Sequence, residues 1–108
     1  MVSVSGVFPT GGVDTLYTCD NGRGLRVENF RVVNVSGGAI QINVWIKQNS
    51  TDRRIAPVDQ NLDAGTMYQV PTPFHMHDTD TIEVDSTDGA NTEFHISGVE
   101  FGNQNEAP

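Results

Sequence analysis

The chain has 108 residues, a formal net charge of -8 with six Lys and Arg, and 36% apolar residues. That length makes one domain with a real core. The acidic balance works against a grip on nucleic-acid phosphates or an anionic membrane surface, since both need clustered cations. The single cysteine, Cys19, excludes an internal disulfide and gives no sign of an oxidising compartment. No apolar run approaches the roughly 18 residues of a spanning helix, and residues 1–9 lack the basic and apolar regions of a secretion signal. Synthesis and assembly in a cytoplasm are therefore expected.

Val2 and Val4 alternate with Ser3 and Ser5, predicting a short edge strand or arm that Pro9 to Gly12 interrupts. Residues 13–19 form a second strand, with Leu16 and Tyr17 expected on opposite faces. Asn21 and Gly22 then give a turn, because both residue types accept positive φ. In residues 25–35, Leu25 and Val27 sit on odd positions and Phe30 and Val32 on even ones. The slip near Glu28 and Asn29 predicts a bulge or a passage between sheets. Ser36, Gly37 and Gly38 are expected to close a hairpin onto the strand at 39–47.

That strand carries the clearest signal in the chain. Ile40, Ile42, Val44 and Ile46 share one parity, while Gln41, Asn43, Trp45 and Lys47 share the other. Period two with β-branched residues fits a strand buried on one face and not a helix. After a loop at 48–51, residues 52–58 carry Arg53, Arg54 and Pro57, as edge strands do. A turn at 61–66 leads to a strand at 67–70, and Pro71 and Pro73 interrupt pairing again. Residues 74–80 read as a connection bearing His and Asp, and 81–85 alternate cleanly. A turn at 88–91 precedes the last strand, 92–101. There Phe94 and Ile96 share one parity, Val99 and Phe101 the other, and Gly98 marks a bulge. The expected architecture is an all-β, antiparallel β-sandwich of about seven to nine short strands, jelly-roll or immunoglobulin-like. Its parts are an arm at 1–12, the sandwich at 13–101 and a polar tail at 102–108.

Chemistry is sparse. His75 and His77 alternate beside Asp78, a spacing that can share a transition metal with help from Asp80 or His95, but no second motif supports it. Asp78, Asp80, Asp85 and Asp88 lack the ladder of a calcium loop and read as turn residues. Cys19 lies among strand residues as a small packing side chain. No nucleophile elbow or phosphate-cradling loop is present, so neither an enzyme nor a cofactor is expected. Trp45, Tyr17, Tyr68, Arg53 and Arg54 are the residue types that interfaces favour. Trp45 is read as a subunit contact or a sugar-stacking platform, unless a loop of its own chain covers it.

Several segments resemble a known family. Leu16-Tyr17-Thr18 before a Gly-containing turn, the run from Arg26 to Ala39 and its following strand, then Ile55-Ala56-Pro57 and Leu62-Asp63-Ala64-Gly65-Thr66, look like pieces of the small β-sandwich virion proteins of tailed bacteriophages. Asp80 to Val84 and Ile96 to Glu100 follow in the same order, so the resemblance spans about residues 14–101. Cys19-Asp20-Asn21 departs from the Val-Pro-Ala that such proteins tend to carry before the glycine. The resemblance implies a non-enzymatic structural protein of the virion. Its leading form is a capsid decoration (cement) protein that binds the major capsid protein or other virion proteins, as a homo-oligomer, with a trimer at capsid axes the favoured form. A tail, neck or fibre component and a carbohydrate- or host-surface-binding module are the alternatives.

Overall fold

The computed structural model describes residues 2–8, 12–20 and 22–103. The expected break at 9–11, Asn21 of the turn and the tail from 104 on lie outside the described residues. Within them the chain forms β1 (Val2–Val7), β2 (Asp14–Thr18), β3 (Arg23–Asn34), β4 (Ile40–Gln48) and β5 (Thr51–Arg54). There follow β6 (Gln60–Leu62), β7 (Met67–Gln69), β8 (Phe74–Met76), β9 (Thr81–Ser86) and β10 (Thr92–Asn103), with one 3₁₀ turn at Gly89–Asn91.

Two antiparallel sheets pack face to face. In one, β1, β10 and β3 lie side by side, and the short β7 and β8 share the far flank of β3. In the other the order is β2, β9, β4, with β5 and β6 sharing the far flank of β4. Ten segments thus fill eight ranks. β1 pairs with β10, and each of the three connections from β1 to β4 crosses to the opposite sheet. That is jelly-roll order rather than immunoglobulin order.

The core is the set of inward parities. Leu25, Val27, Phe30 and Val32 of β3 meet Ile42 and Val44 of β4 and Ile82 and Val84 of β9, all with no solvent exposure. The parity slip in β3 is a bulge within one sheet: β10 pairs Ser97 with Asn29 and Gly98 with Val27, leaving Glu28 as the extra residue. Gly98 is required there, since a Cβ on it would overlap the Arg26 carbonyl. Leu16 and Tyr17 depart from expectation. The register of β2 on β9 shifts between Thr15 and Tyr17, and this bulge lets both side chains pack on the core.

The 36–38 segment is also not a hairpin. β3 belongs to one sheet and β4 to the other, so Ser36 to Gly38 turn a corner of the sandwich. Asn34, fully buried, holds that corner. Its Nδ2 donates to the carbonyls of Gly38 (2.8 Å) and Leu62 (2.9 Å), and its Oδ1 accepts from Ser36 N–H (2.9 Å). The true two-residue hairpin joins β4 to β5. Asn49 and Ser50 take φ of 48 and 69, the paired positive values that a type I′ turn needs.

Candidate functional site

Most residues singled out above are occupied within the chain. Trp45 has the outward parity expected of it, on the outer face of the β4 sheet, yet it is only 9% exposed. Its Nε1–H donates to Glu83 Oε1 (3.2 Å), and the Arg54 guanidinium lies 5.9 Å from the ring centroid. Arg54 also donates to Asn43 Oδ1 (2.7 Å). The same oxygen accepts the Asp59 N–H (2.9 Å), which pins the segment after β5 across this face. The covered arrangement of Trp45 is the one the protein adopts. Tyr17 and Tyr68 are half-buried against the core, and Arg53 remains exposed at the β5 edge, bonded to Gln48.

The histidines do not form a ligand set. His75 lies on the outer face of β8, opposite Arg26, whereas His95 is on β10 opposite Arg31. Among the described residues no group of three His, Cys, Asp or Glu side chains could hold a metal. Asp80 is a structural acceptor: it takes the N–H of His77 (2.9 Å) and the Nε2–H of Gln48 (3.2 Å) and is buried. These bonds, with Cys19 N–H to the Asp80 carbonyl and Thr79 N–H to the Cys19 carbonyl, fix the turn after β8. Thr79 is held there at φ 74, a costly conformation for a β-branched residue. Cys19 itself is buried. Desolvation, and then the Asp80 and Asp78 carboxylates, push its thiol up to about 11, which makes it a poor nucleophile.

One face is open and unlike the rest. On the outer side of the β3 sheet, Arg26, His75, His77, Val99 and Phe101 line a groove of about 510 Å³. The Phe101 ring covers Gly24, its register partner on β3, where any Cβ would overlap the ring. His75 and His77 present their edges to that ring at 6.1 and 6.3 Å. Arg26 closes the groove and is paired with Glu28 through Nε (3.0 Å). The result is an apolar floor walled by imidazoles and a guanidinium, suited to receiving an aromatic or apolar side chain flanked by a carboxylate. Toward the other end of the same face, Val7 and Met67 are 46% and 53% exposed in the row that joins them through Glu93 and Val33.

Charge divides the two faces. All three histidines lie on or beside the β3 face, where Arg26 and Arg31 balance Glu28 and Glu93. The β4 face carries Glu83, Asp85, Asp52 and Asp59 against Lys47 and Arg54. Sequence reasoning missed Phe101, Val99 and Gly24 as a site. The parity of Val99 and Phe101, opposite to that of Phe94 and Ile96, was the available signal for a second apolar face. No family model and no curated protein matches this chain.

Proposed function

We propose that this chain is a non-enzymatic structural protein of a bacteriophage virion, a decoration protein that docks on the capsid surface through the outer face of its β3 sheet. The observation that carries this reading is the division of the two faces. One is near-neutral and bears the groove under Phe101 with the exposed Val7, Val99 and Met67. The other is acidic and already covered over its tryptophan. A protein that coats a particle needs one adhesive face and one that stays hydrated and repels its neighbours, and acidic charge does the second job. The burial of Trp45 weighs against the sugar-platform alternative, which needs that ring in the open.

The test is reconstitution on particles that lack the protein, imaged by cryo-EM. Regular density on the head lattice is expected from the native chain. Val99→Glu, a change at an exposed position on the docking face, should abolish that density, and Val58→Glu, in the exposed turn between β5 and β6 over the other face, should leave it intact. Density only at the tail or neck would assign the protein to that assembly instead. Absence of particle binding, with retention on a glycan array, would overturn the virion reading.

A further inference from the structure

Among the described residues the two sheets leave four edges unpaired, and unpaired edges are sites of unwanted strand addition unless they are blunted. Three of the four carry recognisable protection. The β7/β8 edge consists of two three-residue strands separated by Pro71 and Pro73. The β5/β6 edge carries Asp52, Arg53 and Arg54 on a four-residue strand. The β2 edge is bent by the bulge between Thr15 and Tyr17.

β1 has none of this. Its six residues, Val-Ser-Val-Ser-Gly-Val, hold no charge and no proline, and they pair with β10 in unbroken register from Val2 with Gly98 to Val7 with Glu93. Its inward side is secured by Val2 and Val4 packing on the core, and by Phe8, buried at the strand's end against Phe94. The strand is therefore held in continuous register with its far edge presented. The ladder fixes which groups face that edge. Phe8 N–H bonds the Thr92 carbonyl, and on the other side of β10 Val35 N–H bonds the Asn91 carbonyl. Antiparallel alternation then directs the N–H and C=O of Val2, Val4 and Gly6 to β10, and those of Ser3, Ser5 and Val7 outward.

We propose that the open β1 edge is the interface with a second copy of this chain, two β1 strands pairing antiparallel about a two-fold axis through Ser5 to join two β3 sheets into one. The occupant is a second copy because the only unguarded edge among the described strands has only itself as a match, and a self-matching edge closes as an isologous pair. The register follows. Ser3 pairs with Val7 of the partner subunit and Ser5 with the partner's Ser5, so all six outward groups are satisfied and no charge is buried. Gly6 faces the partner's Val4, where the missing side chain leaves room. Such a dimer carries both adhesive faces on one continuous surface, but its formation does not depend on the virion reading.

The test needs no particle: sedimentation of the purified chain across a concentration series, with amide exchange followed by NMR. A monomer–dimer equilibrium is expected, with the Ser3, Ser5 and Val7 amides gaining protection as the dimer forms. Ser5→Pro removes the central outward donor of both copies while leaving the β1–β10 ladder intact, and should weaken the dimer about 100-fold, at about tenfold for each lost bond. Ser5→Lys sets two like charges against each other across the axis. It should dissociate the dimer at low salt and regain it in part at high salt, which a folding defect would not do. A monomer at millimolar concentration, a trimer, or a dimer in which the Ser5 amide still exchanges freely would each overturn the proposal.

Discussion

Asn34→Ala tests whether the corner between the sheets depends on one side chain. Truncation removes three hydrogen bonds. The one to the Leu62 carbonyl is buried, while those involving Gly38 and Ser36 lie at the partly wetted turn. A buried acceptor left unpaired costs about 1–3 kcal/mol, and each of the two rewettable bonds about 0.5–1 kcal/mol, so the expected loss is about 2–5 kcal/mol. For a domain of this size that is a fall in Tm of roughly 8–20 °C. Thermal and urea unfolding followed by far-UV CD would measure it, with fluorescence of the one tryptophan confirming that both sheets report a single transition. Asn34→Asp sharpens the reasoning. It keeps the acceptor for Ser36 N–H but turns a carboxylate toward two carbonyls, so it should be worse than alanine at neutral pH and recover on acidification, when the protonated carboxyl can donate again. A loss below about 0.5 kcal/mol for Asn34→Ala would mean that the corner holds itself and that these bonds only accompany it.

Other outcomes are equally definite. Gly24→Ala forces the Phe101 ring off the sheet and sets a methyl 2.6 Å from the Met76 carbonyl. It should cost about 1–3 kcal/mol and remove the ring-current shifts of His75 and His77 in NMR spectra, and unchanged shifts would contradict the stacked geometry. Thr79→Gly relieves the positive φ at a residue otherwise held by backbone bonds, and a gain of about 0.5 kcal/mol is expected in urea unfolding, whereas a loss would show the conformation to be unstrained. Stability should decline at high pH. The Cys19 thiol ionises near 9.0 when unfolded but only at about 11 in the fold, so the unfolded chain sheds its proton first and gains on the order of 1–2 kcal/mol across that window. Tyr17, raised by burial and then by Glu100, adds in the same direction. Cys19→Ala should flatten the part of the decline between pH 9 and 11, and an identical profile in the variant would refute the assignment.

The layers of the fold were legible where burial is one-sided. β4 alternates without interruption because one of its faces meets the core along its whole length. The β3 slip and Gly98 announced the bulge because hydrophobic parity cannot change without an extra residue. What resisted reading was the choice of partner. Ser36, Gly37 and Gly38 turn a corner as readily as a hairpin, and the difference lies in Asn34 reaching Leu62, far along the chain. Leu16 and Tyr17 were assigned to opposite faces because a bulge inside a five-residue strand leaves no parity record on either side. Trp45 showed its face but not its cover, which depends on Asp59 folding back to Asn43. The groove was half legible: Val99 and Phe101 declared an outward apolar parity, but the two histidines that flank the ring come from β8, and nothing local couples 75–77 to 101.

The position of β10 has a consequence for how the protein comes into being. Of the described strands it is made last, yet it occupies the middle of its sheet, with β1 on one side and β3 on the other; Val2 pairs with Gly98, and Arg23 with Asn103. While residues 92–103 are still inside the ribosome, β1 has no neighbour, and β3 keeps one flank bare. The other sheet, by contrast, is complete once β9 has emerged. The β3 sheet is therefore completed only in a late step, when β10 emerges and joins β1 to β3. The long loops that this step must close make it slow. In that interval the valines of β1 are exposed together with their unpaired backbone, and the nascent chain is at its most vulnerable to proteolysis and to association with other unfinished copies.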